Sequence, residues 1–281
     1  MTIDTSKSSI FNMDALELIN LLPNDSVDCI LTSPPYWGLR KYGSQAEIGR
    51  EDTPEEYILR LGNIFNKCDR ILKKKGTMWI NMGDVYRDKN LLQLPFRLAA
   101  YLQDHGWILR NDVIWNKPNP MPIAVKDRMT NAYEHIFFFV KSQFYFYDQD
   151  AIRVPVKRDT PRAEYDYQRM LKGRVEFNKG KRPNDGKQMS RSFVGGDPIK
   201  EANRRDVWTV TTGSPKKKVH FATFPPDLIR PCIKAGCPKD GLILDMFAGT
   251  GTTLKVAMEE QRHCIACELH EEYLNPSFFD Q

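Results

Sequence analysis

The sequence predicts an α/β fold, a doubly wound and mostly parallel sheet with helices packed on its faces. Three observations carry the prediction. Strand-length apolar runs alternate with amphipathic stretches of helical period along most of the chain. One run, Val27-Asp28-Cys29-Ile30-Leu31, enters a tight turn at Thr32-Ser33-Pro34-Pro35-Tyr36-Trp37. Near the other end, Gly241-Leu242-Ile243-Leu244-Asp245 leads into the Gly-rich turn Met246-Phe247-Ala248-Gly249-Thr250-Gly251, then a helix start and a second strand, His263 to Cys267, closed by Glu268. Ligands of such sheets sit at the carboxyl ends of the strands, which is where both turns fall.

Taken in order, residues 10–22 become helical in their later part, with Asp14 at the helix start, where an aspartate caps free N–H groups. Thr53 to Leu72 reads as an amphipathic helix, with Thr53 as cap, Pro54 in the first turn and Glu56 completing a capping box. Lys73-Lys74-Lys75-Gly76 reads as its end, cations at the negative pole of the helix followed by a Gly. Thr77 to Asn81 follows as a strand, and Leu92 to His105 as a helix stopped by Gly106. Ile108 to Trp115 and Ile136 to Val140 are further strands. Thr252 or Thr253 caps a helix running from Leu254 to Glu260. After Glu268 only residues 269–275 are left to form a helix before Pro276.

The two turns carry the chemistry. Consecutive prolines at 34 and 35 fix φ twice and remove two backbone donors. The carbonyls of Ser33 and Pro34 are then left as outward acceptors beside the Tyr36 ring. An acceptor pair next to a stacking face suits a planar heterocycle with an exocyclic amino group; alone, the turn also reads as a Pro-rich corner that packs a tyrosine. Gly249 and Gly251 allow positive φ and close approach of a ligand to the backbone. No Lys follows Gly251, so this is not a phosphate-binding P-loop, and Thr253-Leu254 stand where a dinucleotide fingerprint has its third Gly. Glu268, at the tip of the second strand, is placed to accept from ribose hydroxyls.

Together the two turns resemble those of the DNA amino-methyltransferases that use S-adenosylmethionine, in the circularly permuted β class. In that family a (D/N/S)PP(Y/F/W) tetrapeptide precedes a target-recognition region and an FxGxGT loop comes last. Here Ser33-Pro34-Pro35-Tyr36 comes first and Phe247-Ala248-Gly249-Thr250-Gly251-Thr252 last. His220-Phe221-Ala222-Thr223-Phe224-Pro225 resembles the element that lines the methionine side of the cofactor. Trp115 to Pro120 and Tyr133 to Phe139 resemble elements flanking the target-base pocket. The resemblance covers roughly residues 10–150 and 206–274. It implies a Rossmann-like methyltransferase fold, with residues 1–150 as the catalytic half, 151–205 as a target-recognition insertion and 206–281 as the cofactor half. It implies Ser33, Pro34, Pro35 and Tyr36 as catalytic residues. The implied cofactor residues are Asp14, Thr32, His220, Phe224, Pro225, Asp245, Glu268 and the run from Phe247 through Ala248, Gly249, Thr250, Gly251 and Thr252 to Thr253. For Asp14, a plain helix cap is an equal reading.

Composition agrees with a large α/β core carrying an insertion: 281 residues, 41% of them hydrophobic. No segment approaches the ~20 apolar residues of a membrane span, and the start of the chain lacks the plan of a signal peptide, so a cytoplasmic protein is expected. Six cysteines in a chain this long are not a disulfide framework. Cys264 and Cys267 form a CxxC pair, but inside a buried strand they read as small hydrophobes, and no metal is expected. Residues 153–205 hold 15 Lys and Arg against 7 Asp and Glu, a surplus of 8 in a chain whose total is +5. Aromatics and glycines interleave this charge, a mixture suited to phosphate and base contacts on double-stranded DNA and equally to a solvated loop. The expected DNA contacts are Trp37, Lys117, Arg158, Arg162, Arg169, Arg174, Lys181, Arg182 and Arg191.

Serine at the first tetrapeptide position goes, in the resembled family, mostly with the 4-amino group of cytosine, and aspartate mostly with the 6-amino group of adenine. Cytosine is therefore the expected target and adenine the alternative. A DNA-binding chain without turnover is a third reading, against which every motif residue is chemically competent. Members of the family often pair with a restriction endonuclease acting on the same site, and act as monomers or homodimers. Pro231-Cys232 is read as packing, so no covalent thiol step is expected.

Overall fold

The computed structural model describes residues 3–38, 47–155, 201–212 and 224–274. Two compact units are distinguished, one formed by residues Met1–Ile152 and Arg205–Gln281, the other by Arg153–Arg204. In the second unit, among the described residues, strand β8 (Val154–Pro155) pairs antiparallel with β9 (Glu201–Ala202).

The first unit is built on one eight-stranded sheet. Its strands are β1 (Ser9–Asn12), β2 (Val27–Thr32), β3 (Leu72–Met82), β6 (Ile108–Asn116), β7 (Tyr133–Val140), β10 (Val207–Thr209), β11 (Leu242–Asp245) and β12 (His263–Glu268). They lie in the order β1-β12-β11-β2-β3-β7-β6-β10. Every pairing is parallel except the two that β7 makes, with β3 and with β6. The expected mostly parallel, doubly wound sheet is therefore present, with β7 as its one reversed strand. The two ends of the chain meet in the middle of the sheet, where Ile243 and Leu244 of β11 lie in register with Cys29 and Ile30 of β2. Their neighbours extend to opposite sides, so the carboxyl ends of β2 and β11 flank a topological switch point.

Side chains alternate between two cores. On one face, Ile30, Phe137 and Phe139 pack with helices α1 (Ala15–Leu21), α2 (Pro54–Ile71) and α3 (Leu94–Asp104), through Leu18, Tyr57, Phe65 and Leu98. On the other, Cys29, Leu31, Trp79 and Phe138 pack with α4 (Pro226–Gly236) and α5 (Thr252–Glu259), through Leu228, Cys232 and Val256. Strands covered on both faces read as continuous apolar runs, which is why these were legible. The CxxC pair is split by the same alternation: Cys264 enters the second core and Cys267 the first. Burial pushes both thiols well above their ordinary range, as expected of core cysteines rather than of a chelating pair. Cys232 is likewise buried inside α4. No helix among the described residues is long and apolar enough to cross a membrane.

The structure corrects several expected boundaries. The lysine run does not end a helix. The amide of Leu72 closes α2 on Cys68 O, and β3 begins at once, carrying Lys73-Lys74-Lys75 on its solvent end. Lys73 Nζ reaches Asp28 Oδ2 at 2.8 Å. Gly76 is there for space, because a Cβ on it would lie 2.6 Å from Leu72 Cδ1. The segment before α1 forms an unanticipated edge strand, β1, parallel to β12. Among the described residues, only a short 3-10 turn, Glu271–Tyr273, follows Glu268. The N-terminal segment thus supplies that wall of the sheet. Ahead of α3, β4 (Tyr86–Arg87) and β5 (Asn90–Leu91) make a tight hairpin turned by Asp88 and Lys89, both at positive φ, the turn geometry that matches strand twist.

Gly236 tests the packing of α4 on the sheet. Its carbonyl accepts from Thr77 Oγ1 at 2.8 Å, and a Cβ would lie 2.4 Å from Trp79 Nε1. Helix propensity alone favours Ala over Gly by up to ~1 kcal/mol, whereas overpacking costs about 1–3 kcal/mol. Gly236→Ala is expected to lower the urea midpoint; a raised midpoint would mean that α4 can lift away without cost.

Candidate active site

The turn after β2 is held from behind. Tyr57, fully buried in α2, donates its hydroxyl to Pro35 O at 2.8 Å. Gly49 packs on the same turn; at φ +95, a Cβ there would lie 2.9 Å from Tyr36 O. Trp37 is 8% exposed and belongs to the core, with its indole N–H on Glu51 O at 2.9 Å. This corrects its expected role: Trp37 is a strut under the turn, because its large ring finds a pocket there, and it offers no face to DNA. Among the described residues no hydrogen bond is made to the Pro34 carbonyl, which leaves it as an acceptor.

Tyr36 points inward. Its hydroxyl donates to Glu134 Oε2 at 2.7 Å, and its ring lies against Gly83, where a Cβ would come within 2.9 Å. Burial and the Glu134 carboxylate push the phenol well above its ordinary range, and the Ser33 hydroxyl bonded beside it acts in the opposite direction. The phenol therefore remains a neutral donor. Glu134, at the head of β7, also accepts from Asn81 Nδ2 at 3.1 Å and from Lys117 Nζ. Lys117, at the exit of β6, lies with Nζ 4.4 Å from the centre of the Trp115 ring. Its side chain is 18% exposed, so Lys117 belongs to this pocket rather than to an outer DNA surface. Sequence reasoning missed Glu134, Asn81 and Tyr57 as site residues. The legible signal was a lone acid opening the otherwise apolar strand Ile136 to Val140.

The cofactor half centres on Asp245, the last residue of β11. Its carboxylate accepts from Thr32 Oγ1 at 2.6 Å, Thr253 Oγ1 at 2.5 Å and the Phe247 amide at 3.1 Å. Thr32 and Thr253 thus hold the carboxylate, and α5 is entered through Gly251 at φ 80 without a side-chain cap, which corrects the expected Thr cap. Gly249, at φ 52, donates its amide to Glu268 Oε2 at 2.9 Å. The other Glu268 oxygen accepts from the His270 amide at 3.1 Å. Ala248 donates to Cys267 O at 3.0 Å and Gly251 to Ala248 O at 2.9 Å, so the loop Phe247 to Thr252, with Thr250 half-buried at its crest, is wrapped over the end of β12.

A cleft joins the two halves. Pro35 from the first turn and Phe247 from the second share it with Met13, Met246, Asp14 and Glu268. Asp14 does both things foreseen for it, capping α1 through the Leu16 amide at 2.7 Å and lining the cleft. Glu47 and His270, 3.6 Å apart, complete the rim and were not foreseen. Phe224 is buried in the second core beside Ala248, and Pro225 opens α4; neither lines this cleft. His220, Arg158, Arg162, Arg169, Arg174, Lys181, Arg182 and Arg191 lie outside the described residues. Asp14, Glu47 and Glu268 put three carboxyl groups on the wall, with no Lys or Arg among the described lining residues. Such a wall repels phosphates and suits a cationic ligand with hydroxyl and amino donors against an apolar floor.

Burial pushes the Asp245 carboxyl up to about 6, against the pull of its three hydrogen bonds. A carboxyl raised on folding binds protons more tightly in the native state. Its contribution is therefore full below about pH 4 and is lost as pH rises through 6, by about 3 kcal/mol in all. Asp245→Asn removes the titration. Between pH 4.5 and 7 the unfolding free energy of the variant is expected to fall less than that of the wild type, whatever constant offset the amide introduces. Parallel pH profiles in urea titrations would exclude the assignment.

The comparisons with known proteins agree with this geometry. Residues 27–278 match the N6/N4 methyltransferase family, described as DNA methylase. The Type II methyltransferase M.XycI of Xanthomonas campestris pv. cyanopsidis is 38% identical, over 95% of this chain and 85% of its own length. M.SmaI of Serratia marcescens is 36% identical, over 92% of this chain and 86% of its own. Among solved structures, the PvuII DNA methyltransferase (cytosine-N4-specific) superposes with a TM-score of 0.69 at 20% identity, covering 96% of this chain and 84% of that one. A DNA modification methylase of Thermus thermophilus, solved with S-adenosyl-L-methionine, superposes at 0.61 and 22% identity, covering 95% and 89%. The two structures share the fold. With the family matched over most of its length and relatives above a third identical along nearly all of it, the chain belongs to the N6/N4 DNA methylase family.

Proposed function

We propose that this DNA methyltransferase transfers a methyl group from S-adenosylmethionine to the 4-amino group of cytosine in duplex DNA, with the target base flipped out of the helix. The observation that carries the reading is the cleft in which Pro35, beside the Ser33-Pro34 acceptors, shares a wall with Phe247 and Glu268. The residues present fit the cofactor: Glu268 and Asp14 accept from hydroxyl and amino groups, Phe247 and Met13 cover a flat heterocycle, and the acid-rich wall suits a sulfonium cation. When bound, S-adenosylmethionine supplies an activated methyl group, so the protein's task is mostly alignment.

An exocyclic amino group is a poor nucleophile because its lone pair is delocalised into the ring. Ser33 Oγ and the Pro34 carbonyl accept from its two hydrogens and draw the nitrogen toward sp³, which frees the lone pair. Tyr36 sits between Ser33 and the Glu134 carboxylate. A hydrogen-bond chain ending in a carboxylate polarises each member, so Glu134 makes the Ser33 oxygen a better acceptor than an isolated hydroxyl. A serine thereby does part of what an aspartate would do, without placing a second charge in the pocket. Cytosine offers two ring-edge acceptors beside its amino group where adenine offers one. The donors on this wall, Tyr36, Asn81 and Lys117, favour the former. No thiol is engaged.

The same reading gives residues 151–205, with their local basic surplus, the target-recognition role. It also makes the chain the modification partner of an endonuclease that cuts the same site.

Nucleoside mass spectrometry of mixed-sequence duplex DNA, incubated with the protein and heavy-methyl S-adenosylmethionine, tests the base. Label is expected in 4-methyl-deoxycytidine; label in 6-methyl-deoxyadenosine instead would overturn the serine argument. Ser33→Ala is expected to lower the transfer rate about 100-fold, on the scale of losing one oriented polar group. Glu134→Gln should lower it about tenfold with KM for DNA little changed. Wild-type rates in both variants would remove the pocket assignment.

A further inference from the structure

The connection from β6 to β7, residues 117–132, contains no helix or strand of its own. Bare connections of this length in compact domains are mostly functional. This one is tethered. The Lys117 amide donates to Ala132 O at 2.7 Å, closing its base. Asn119 exchanges hydrogen bonds with Thr212 at 3.0 and 3.3 Å. Lys89 pairs with Asp127 at 2.7 Å, and the Arg128 guanidinium lies 3.8 Å from the centre of the Tyr86 ring. Pro118, Pro120 and Pro122 stiffen the outgoing limb. Between these tethers stand apolar side chains that no described residue covers: Met121 is 82% exposed and Met129 is 90% exposed, with Ile123 and Val125 also exposed.

Placement indicates what covers them. The loop leaves from Lys117 and returns one residue before Tyr133-Glu134, so it rises from the same side chains that grip Tyr36. Its apolar crest therefore stands at the lip of the base pocket, with Lys126 and Arg128 beside it. Extruding a base leaves a gap in the stack, and unbranched or β-branched apolar side chains are what proteins insert into opened base steps. Cations beside an apolar tip match a phosphate-lined groove.

We propose that this loop is the wedge that opens the duplex, with Met121 and Met129 filling the space that the departing base leaves. The proposal rests on the base-flipping reading above. It separates two jobs: the pocket holds the base once it is out, and the loop stabilises the helix that has lost it.

Single-turnover methylation by the wild type and by the Met121→Ser/Met129→Ser double variant tests this on two duplexes built around the site mapped from labelled DNA. One is fully paired, and the other carries an abasic nucleotide opposite the target base. The variant is expected to be slower by about tenfold on the paired duplex and within about twofold of the wild type on the other, where no pair has to be broken. Equal losses on both duplexes, or no loss on either, would overturn the wedge. Wild-type protein that labels neither duplex overturns the base-methylation reading itself and the wedge with it. Both side chains are exposed, so the variant should melt with the wild type. Met121→Leu/Met129→Leu, which keeps the apolar bulk, should restore the rate on paired DNA.

Discussion

One carboxylate ties the site together. Asp245 ends the central strand β11, and in a space that admits almost no water it gathers the hydroxyl of Thr32, the hydroxyl of Thr253 and the amide of Phe247. Thr32 is the residue before the Ser33-Pro34-Pro35-Tyr36 turn. Phe247 opens the Gly-rich loop and Thr253 lies in the first turn of α5. Both turns are therefore measured from the same two oxygens. A carboxylate in such a place is costly, as its raised pKa shows. It is tolerated because three donors converge on it. What it secures is distance: the acceptors of one turn and the cradle of the other face a single cleft.

That pin also explains why chain order matters so little here. Residues 27–32 and 242–245 lie more than two hundred positions apart, yet they pair as adjacent strands. A parallel sheet needs only that neighbouring strands share direction and that helices cover both faces. Where the chain is cut is then a matter of which loop is left open. Asp28 reinforces the seam from the opposite end of β2, accepting from the Leu242 amide at 2.9 Å and from Lys73. The N-terminal segment closes the far side through β1, with Asn12 donating to the Glu268 and Leu269 carbonyls at 3.0 Å each. The short run after Glu268 is thereby backed by residues that the chain supplied first.

What could be read in the sequence follows a physical divide. Local signals were legible: the capping box at Thr53 and Glu56, the apolar runs of β2, β7 and β12, the helix stop at Gly106, the glycines at positive φ. Each depends on a few adjacent residues. Three kinds of feature were not. The lysines at 73–75 carry the chemistry of a helix end, but register with Val27 draws Leu72 into the sheet at once and places them on a strand. Trp37 looks like a stacking residue in the sequence, because nothing local reveals the pocket that swallows it. Glu134 is one acid among many until β3, β6 and β7 bring Asn81, Lys117 and Tyr36 to it. Long-range convergence is written in register, and register is settled by the whole sheet rather than by any segment of it.

Charge divides the labour in the same spirit. Outside residues 153–205 the chain carries a net negative charge, and the cleft wall is acidic. A body of that sign does not collect DNA by itself. Nonspecific affinity, which comes from neutralised phosphates, falls to the basic segment. The sheet end supplies geometry: acceptors for an amino group, a neutral phenol between a serine and a carboxylate, and an apolar crest tethered at the lip. An acidic methyl-donor pocket and a polyanionic substrate repel one another, so the two are best kept apart by the turn that both must use. The Pro34-Pro35 corner, stripped of backbone donors and braced by Tyr57, is stiff enough to present Ser33 and Pro34 to the base while Pro35 closes the cofactor cleft. Rigidity there, more than any single charge, lets one short turn serve two ligands of opposite sign.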